Sequence, residues 1–213
     1  MKLLIAVPTY DYMHYQFVEC LTKLIRVLDE DGIDYEVAFQ GGTLVYVGRD
    51  KLAKKAIKEG FSHVLWLDSD MIFNEDILDN LFLTGKPFVT GIAHGRRAPH
   101  VSCIFKEIYP GIDRWEGHDY PHEAFKIAGC GFACVLIETR IMKDVLDRNG
   151  TVFFPMRELG EDLAFCKRAT DLGYEIWAEP KVWMGHIGHI TVYPEYEELY
   201  QDSIQNFDEV KKC

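Results

Sequence analysis

The run "HVLWLDSDMIF", His63–Phe73, is apolar and ends in two aspartates one residue apart, Asp68 and Asp70. In extended chain, residues i and i+2 point the same way. Two carboxylates on one side suit a hard divalent cation, which takes oxygen ligands and lets phosphate oxygens complete its shell. The alternative is a turn in which Asp68 and Ser69 bond nearby backbone amides. In "GEDLAFCKRA", Glu161 and Asp162 open a helix. Acids there favour the helix dipole; the chemical alternative is that Asp162 takes the proton of an attacking hydroxyl. In "WMGHIGHI", glycines near His186 leave little bulk to hinder a close approach. A neutral imidazole added to carboxylates favours manganese over magnesium. A hydrogen-bonded structural histidine is the plainer reading, and His189 is the weaker ligand candidate. Gly129 and Gly131, in "AGCGFACVLIE", allow either a bend in a strand or the close approach of a ligand. Arg96 and Arg97 pair with phosphate or an acidic acceptor, or else stand as solvated loop residues.

The elements that must position these groups alternate. "KLLIAVP" reads as a strand, and apolar residues at helical spacing run from about Tyr15 to Leu28, with a stop near Gly32. "YEVAF" is a second strand, "GRDKLAKKAIKEG" a second helix and "HVLWLD" a third strand. "NEDILDNLF" starts a third helix with Asn74 placed to cap it. Strand and helix in alternation predict an α/β fold, a mostly parallel sheet covered by helices. Ligands collect at the carboxyl ends of such strands. Pro8–Asp11, Gln40–Thr43 and Asp68–Asp70 should therefore face one crevice. Further on, "KPFVTGIA", "HVSCIF", "AFKIAG" and "FACVLIE" read as strands. Residues Tyr109–His122 read as a polar loop, whose Trp115, Tyr120 and His122 stack on a sugar ring or simply tile the surface. Helices follow from Thr139 to Gly150 and from Glu161 to Gly173, then short strands "YEIWAEP" and "KVWMG". An acidic helix with apolar residues at helical spacing closes the chain.

The 213 residues, 48% hydrophobic and 27% charged, support one globular domain. The expected division within it is a first half over 1–95, a second half over 96–193, and a C-terminal helix over 194–213. That helix packs on its own domain or serves an oligomer interface. A net charge of -11 argues against nucleic-acid binding by overall charge. It does not argue against an anionic substrate, because a bound cation reverses the local field. The apolar start stops at Pro8, too short for a signal peptide, and no stretch reaches the length of a membrane span. A cytoplasmic protein is expected. The 6 cysteines form no CxxC pair, and reduced, mostly buried thiols are the expectation.

In this order and spacing, "VPTY", "VLWLDSDMIF", "GCGFACVLI" and "GEDLAFCKRATDLGYEIWAEP" followed by "VWMGHIG" resemble a nucleotide-sugar glycosyltransferase of the GT-A fold, close to glycosyltransferase family 2. The resemblance covers most of the chain. It implies a single GT-A domain that moves a sugar from a nucleoside-diphosphate sugar to a carbohydrate or other hydroxyl acceptor, with Mn2+ or Mg2+ as cofactor. By it, Pro8, Thr9 and Tyr10 line the nucleoside pocket and Arg49 lies near the nucleotide. Asp68 reaches the ribose or the metal, with Ser69 beside it on the donor. Asp70 and His186 hold the metal, and Gly129 and Gly131 border the sugar. Asp162, with Glu161, is catalytic, acting as the base of an inverting displacement. Where the family often has an acid after the second strand, this chain has Gln40–Gly42. A metal-dependent nucleotidyltransferase would need a lysine- and glycine-rich phosphate loop after the first strand, which "VPTYDYMHY" lacks. A non-catalytic nucleotide-sugar-binding protein on the same fold is the other alternative.

Overall fold

The computed structural model describes residues 1–97 and 100–188. The first strand, β1 (Lys2–Pro8), leads into helix α1 (Tyr15–Glu30), followed by β2 (Asp34–Gln40) and α2 (Val45–Lys58). Then come β3 (His63–Leu67), the short β4 (Met71–Ile72), α3 (Ile77–Leu83) and β5 (Phe88–Ile92). Short strands β6 (Ile104–Glu107), β7 (Asp113–Arg114), β8 (Phe125–Ile127) and β9 (Gly129–Cys130) lead to β10 (Cys134–Glu138). Helices α4 (Thr139–Asn149) and α5 (Glu161–Asp171) precede β11 (Ile176–Trp183) and β12 (Gly185–His186).

Seven strands form the central sheet in the order β2-β1-β3-β10-β5-β11-β8. β1 pairs parallel with β2 and β3, and β5 pairs parallel with β11. β10 runs antiparallel between β3 and β5, and β8 is an antiparallel edge on β11. The sheet is thus mostly parallel, as the strand–helix alternation predicts. Of the two antiparallel strands, β8 lies at the edge, while β10 threads a strand of the second half between two strands of the first.

Both faces of the sheet are covered, so its central strands are apolar throughout. Residues Leu3–Val7 of β1 and Val64–Leu67 of β3 are fully buried. One face packs on α1 and α3. In α1, Phe17, Leu21, Leu24 and Leu28 recur at helical spacing and are buried. Each such side chain contributes about 1.5–3 kcal/mol of burial. The other face packs on α2, α4 and α5 through Trp66, Phe88, Phe132, Phe153 and Phe165, which sit edge-on or stacked upon one another.

The structure departs from the sequence reading at several boundaries. Helix α3 starts at Ile77 with Asp76 at its N-cap, so Asn74 does not cap it. β6 begins only at Ile104. "YEIWAEP" and "KVWMG" are largely one strand, β11, with an irregularity between Ala178 and Trp183. The polar segment Tyr109–His122 contains β7 and a short 3-10 turn, Gly117–Asp119. Its Trp115 and Tyr120 pack against the core. Among the described residues five cysteines are free, and four of them, Cys20, Cys130, Cys134 and Cys166, are buried. No helix among the described residues is long and apolar enough to cross a membrane. Residues 194–213, expected to form a helix with a candidate interface, and His189 lie outside the described residues.

Candidate functional site

The carboxyl ends of β1, β2 and β3 meet, as their parallel order requires. Thr9 N–H donates to the Gln40 carbonyl at 3.0 Å and Gly42 N–H to the Tyr10 carbonyl at 3.1 Å. A Cβ on Gly41 would stand 3.2 Å from that Tyr10 oxygen, so glycine lets the two loops close on each other. Ser69 Oγ donates to Thr9 Oγ1 at 3.3 Å, tying the third strand end to the first. Pro8 is buried, Thr9 half-buried and the Tyr10 side chain exposed.

Arg49 enters this crevice from the first turns of α2 and is buried, 3% exposed. Its Nη2 donates to Asp68 Oδ1 at 2.6 Å and its Nη1 to Glu161 Oε1 at 2.7 Å. The guanidinium lies 5.3 Å from the centre of the Phe132 ring. Burial disfavours its charge, but Asp68 and Glu161 outweigh burial and hold it protonated. Burial pushes the carboxyls of Asp68 and Glu161 up, with Arg49 opposing. One fork-shaped cation therefore joins α2, the end of β3 and the start of α5.

Asp70 and His186 lie 116 positions apart and meet where β4 pairs with β12. His186 Nδ1 contacts the His94 carbonyl at 2.8 Å. A carbonyl only accepts, so Nδ1 carries the proton. Nε2 then faces Asp70 Oδ2 at 3.3 Å. The same oxygen accepts from Arg96 Nη1 at 2.5 Å. Burial raises the Asp70 carboxyl, but its bond to His186 and the charges of His186 and Arg96 bring it below the ordinary range. Asp70 in turn raises the His186 imidazole.

Asp162 is the second residue of α5, whose N-cap is Gly160. Its Oδ1 accepts from the Leu163 N–H at 2.7 Å. A Cβ on Gly131 would stand 3.8 Å from its Oδ2, so Gly131 keeps the flank of that oxygen clear. Asp162 is close enough to Asp68 and Glu161 to push both carboxyls up. Gly129 sits elsewhere: it is buried, with Ile108, Leu163 and Cys166 atoms 3.1–3.3 Å from where its Cβ would be. Its small size serves the packing of α5.

Among the described residues no three His, Cys, Asp or Glu side chains converge on one point. The donors that do converge are Asp70 Oδ2 and His186 Nε2, while Asp68 Oδ1 is taken by Arg49. A pair leaves most of a divalent ion's shell to phosphate oxygens and water, which is how Mg2+-type ions bind at substrate sites. The 3.3 Å separation is near the ~3 Å between adjacent ligands of a six-coordinate ion with ~2.1 Å bonds. The residues present fit such an ion.

The sequence singled out several of these residues but not their pairing. Arg49 and Glu161 are 112 positions apart, and Arg96 and Asp70 are 26 apart. The His94 carbonyl that orients His186 is main chain, and no residue type announces it.

No protein-family model matches this chain, and no curated protein sequence matches it. Solved structures do match in fold. A197 from STIV is 16% identical, with a TM-score of 0.58, over 89% of this chain and 87% of that one. GalNAc-T7, in a structure with UDP, GalNAc and Mn2+, is 9% identical with a TM-score of 0.58; the match covers 89% of this chain and 44% of that one. The catalytic domain of Drosophila beta1,4-galactosyltransferase 7, in complex with xylobiose, is 11% identical with a TM-score of 0.54, over 92% of this chain and 78% of that one. The fold is that of the last two, which are GT-A fold glycosyltransferases.

Proposed function

We propose that this chain is a metal-dependent glycosyltransferase that moves a sugar from a nucleoside-diphosphate sugar to an acceptor hydroxyl, with inversion. The carrying observation is the Asp70–His186 pair, 3.3 Å apart at the carboxyl ends of the sheet, with His186 pinned through Nδ1 so that Nε2 faces Asp70. A neighbour of the same fold was solved with UDP and Mn2+.

In this reading Asp70 and His186 would hold Mn2+ or Mg2+, which when bound would supply positive charge to a departing diphosphate. Tyr10, exposed beside Pro8 and Thr9, offers its ring to the nucleoside base. Ser69 lies on the donor side. Asp68, fixed by Arg49, accepts from the ribose hydroxyls. Asp162 takes the proton of the acceptor hydroxyl as its oxygen bonds to the anomeric carbon. The bond from that carbon to the phosphate oxygen breaks, and the nucleoside diphosphate leaves. Asp162 forms no bond to the sugar, so a single displacement inverts the anomeric centre. Glu161 supports the site by holding Arg49, and Gly131 leaves room for the sugar and acceptor.

Calorimetric titration of UDP and GDP, each with Mn2+ and with chelator, tests this. Binding that needs the metal and disappears in Asp70→Ala and in His186→Ala is the expected result. No binding of either nucleotide with any divalent ion would sink the reading.

A further inference from the structure

At Asp70 one carboxylate oxygen meets two protein side chains, a guanidinium and an imidazole. Oδ2 accepts from Arg96 Nη1 at 2.5 Å and faces His186 Nε2 at 3.3 Å. The two are held differently. His186 is fixed twice, by its ring bond to the His94 carbonyl and by the β4–β12 pairing. Among the described residues the Arg96 side chain has Asp70 as its one polar partner, and its main chain is held more firmly. Gly95 N–H donates to the Val101 carbonyl at 2.8 Å. A Cβ on Gly188 would stand 3.3 Å from the Arg96 carbonyl oxygen, so the two backbones are in close contact. The Arg96 side chain is half exposed, and ion pairs so open to water are weak and readily exchanged.

A cavity of about 280 Å³ opens next to the pair. Among the described residues its titratable lining is Arg96, His94, His100 and His186, with no carboxylate. Such a lining suits an anion, and a guanidinium binds phosphate oxygens in a two-pronged fashion.

We propose that Arg96 and a divalent cation exchange at Asp70, the ion taking Oδ2 and the released guanidinium turning to the diphosphate of the donor. This rests on the metal–diphosphate reading above. Two positive groups on one oxygen repel, so ion and guanidinium compete for it. Nucleotide gives the guanidinium a new partner, and by linkage metal and nucleotide then strengthen each other's binding. Arg96 is thus a donor-binding residue that also limits metal binding when no nucleotide is present.

The experiment measures Mn2+ binding without nucleotide, from the electron paramagnetic resonance signal of the free ion, in wild type, Arg96→Gln and Arg97→Gln. Arg97→Gln removes the same charge one residue away. Arg96→Gln should bind Mn2+ about five- to tenfold more tightly, and Arg97→Gln should stay within about twofold of wild type. With saturating Mn2+, the nucleotide that binds wild type should bind Arg96→Gln about tenfold more weakly. Equal Mn2+ affinity in wild type and Arg96→Gln, no binary binding by either, an equal gain in Arg97→Gln, or unchanged nucleotide affinity each overturns the exchange. Failure of wild type to bind nucleotide with Mn2+ sinks the underlying functional reading instead.

Discussion

Arg49 and Glu161 lie 112 positions apart and meet at 2.7 Å, in a contact that fastens the start of α5 to α2. Because Arg49 also holds Asp68 at 2.6 Å, the helix bearing Asp162 and the strand end bearing Asp70 are positioned by one buried side chain. Two carboxylates this close to each other are tolerated because a cation stands between them.

Removing that cation exposes what it offsets. Arg49→Met leaves Asp68 and Glu161 facing each other without a counter-ion. Breaking a buried pair in this way costs about 3–5 kcal/mol. Urea denaturation of the two proteins measures it. A loss below about 1 kcal/mol would mean that the pair is solvated and not structural.

Asp50 is a second anchor on α2, buried at 5% exposure. Its Oδ1 accepts from Thr151 Oγ1, Val152 N–H and Phe153 N–H at 2.8–3.3 Å, and its Oδ2 pairs with Lys54 at 2.7 Å. Burial raises this carboxyl, but Lys54 and the three donors bring it below its ordinary value of 3.8. A folded-state value below the unfolded one means stability that is present above the unfolded value. It is lost as pH falls through the folded one. Asp50→Asn should therefore be less stable than wild type by about 1–3 kcal/mol at neutral pH. The gap should narrow as pH drops below about 4. Thermal unfolding of both proteins from pH 7 to pH 3 follows it, and a constant gap across that range would contradict the assignment.

Gly91 sits within β5, where a side chain has no room. A Cβ there would stand 2.6 Å from Val182 Cγ1 and 3.1 Å from the Val182 carbonyl oxygen. Gly91→Ala forces β5 and β11 apart and should cost about 1–3 kcal/mol. The double variant Gly91→Ala, Val182→Ala should recover part of it. No recovery would place the strain on the backbone rather than on the valine.

Asp162 carries the chemistry in the proposed reaction. Asp162→Asn keeps the shape and an oxygen to accept the Leu163 N–H, but loses the base. Turnover should fall about 10²–10⁴-fold. Nucleotide affinity should stay within about twofold, because binding draws on Tyr10, Asp68 and the Asp70–His186 pair. Initial-rate kinetics and calorimetry on the same preparation separate the two. Retained turnover would remove Asp162 from its role.

The layers were legible in the chain's own residue pattern. Apolar runs at β1, β3 and β5 and helical spacing in α1 and α2 are local patterns, and they dictate a covered, mostly parallel sheet. Parallel order then brings Thr9, Gln40 and Ser69 to one edge. The two aspartates on one short segment, and the acids opening α5, were also legible, since one turn or one helix start suffices to define them. How these charges are answered came from the packing of distant segments. Arg49 bridges Asp68 to Glu161, Arg96 shares Asp70 with His186, and a main-chain carbonyl of His94 orients the imidazole. It also set Gly129 in the packing and Gly131 beside Asp162. The reason is physical. Local patterns follow from the chain's own periodicity, whereas ion pairs between distant segments depend on which strand lies beside which. The insertion of β10 between β3 and β5 sets that order, and no local periodicity encodes it.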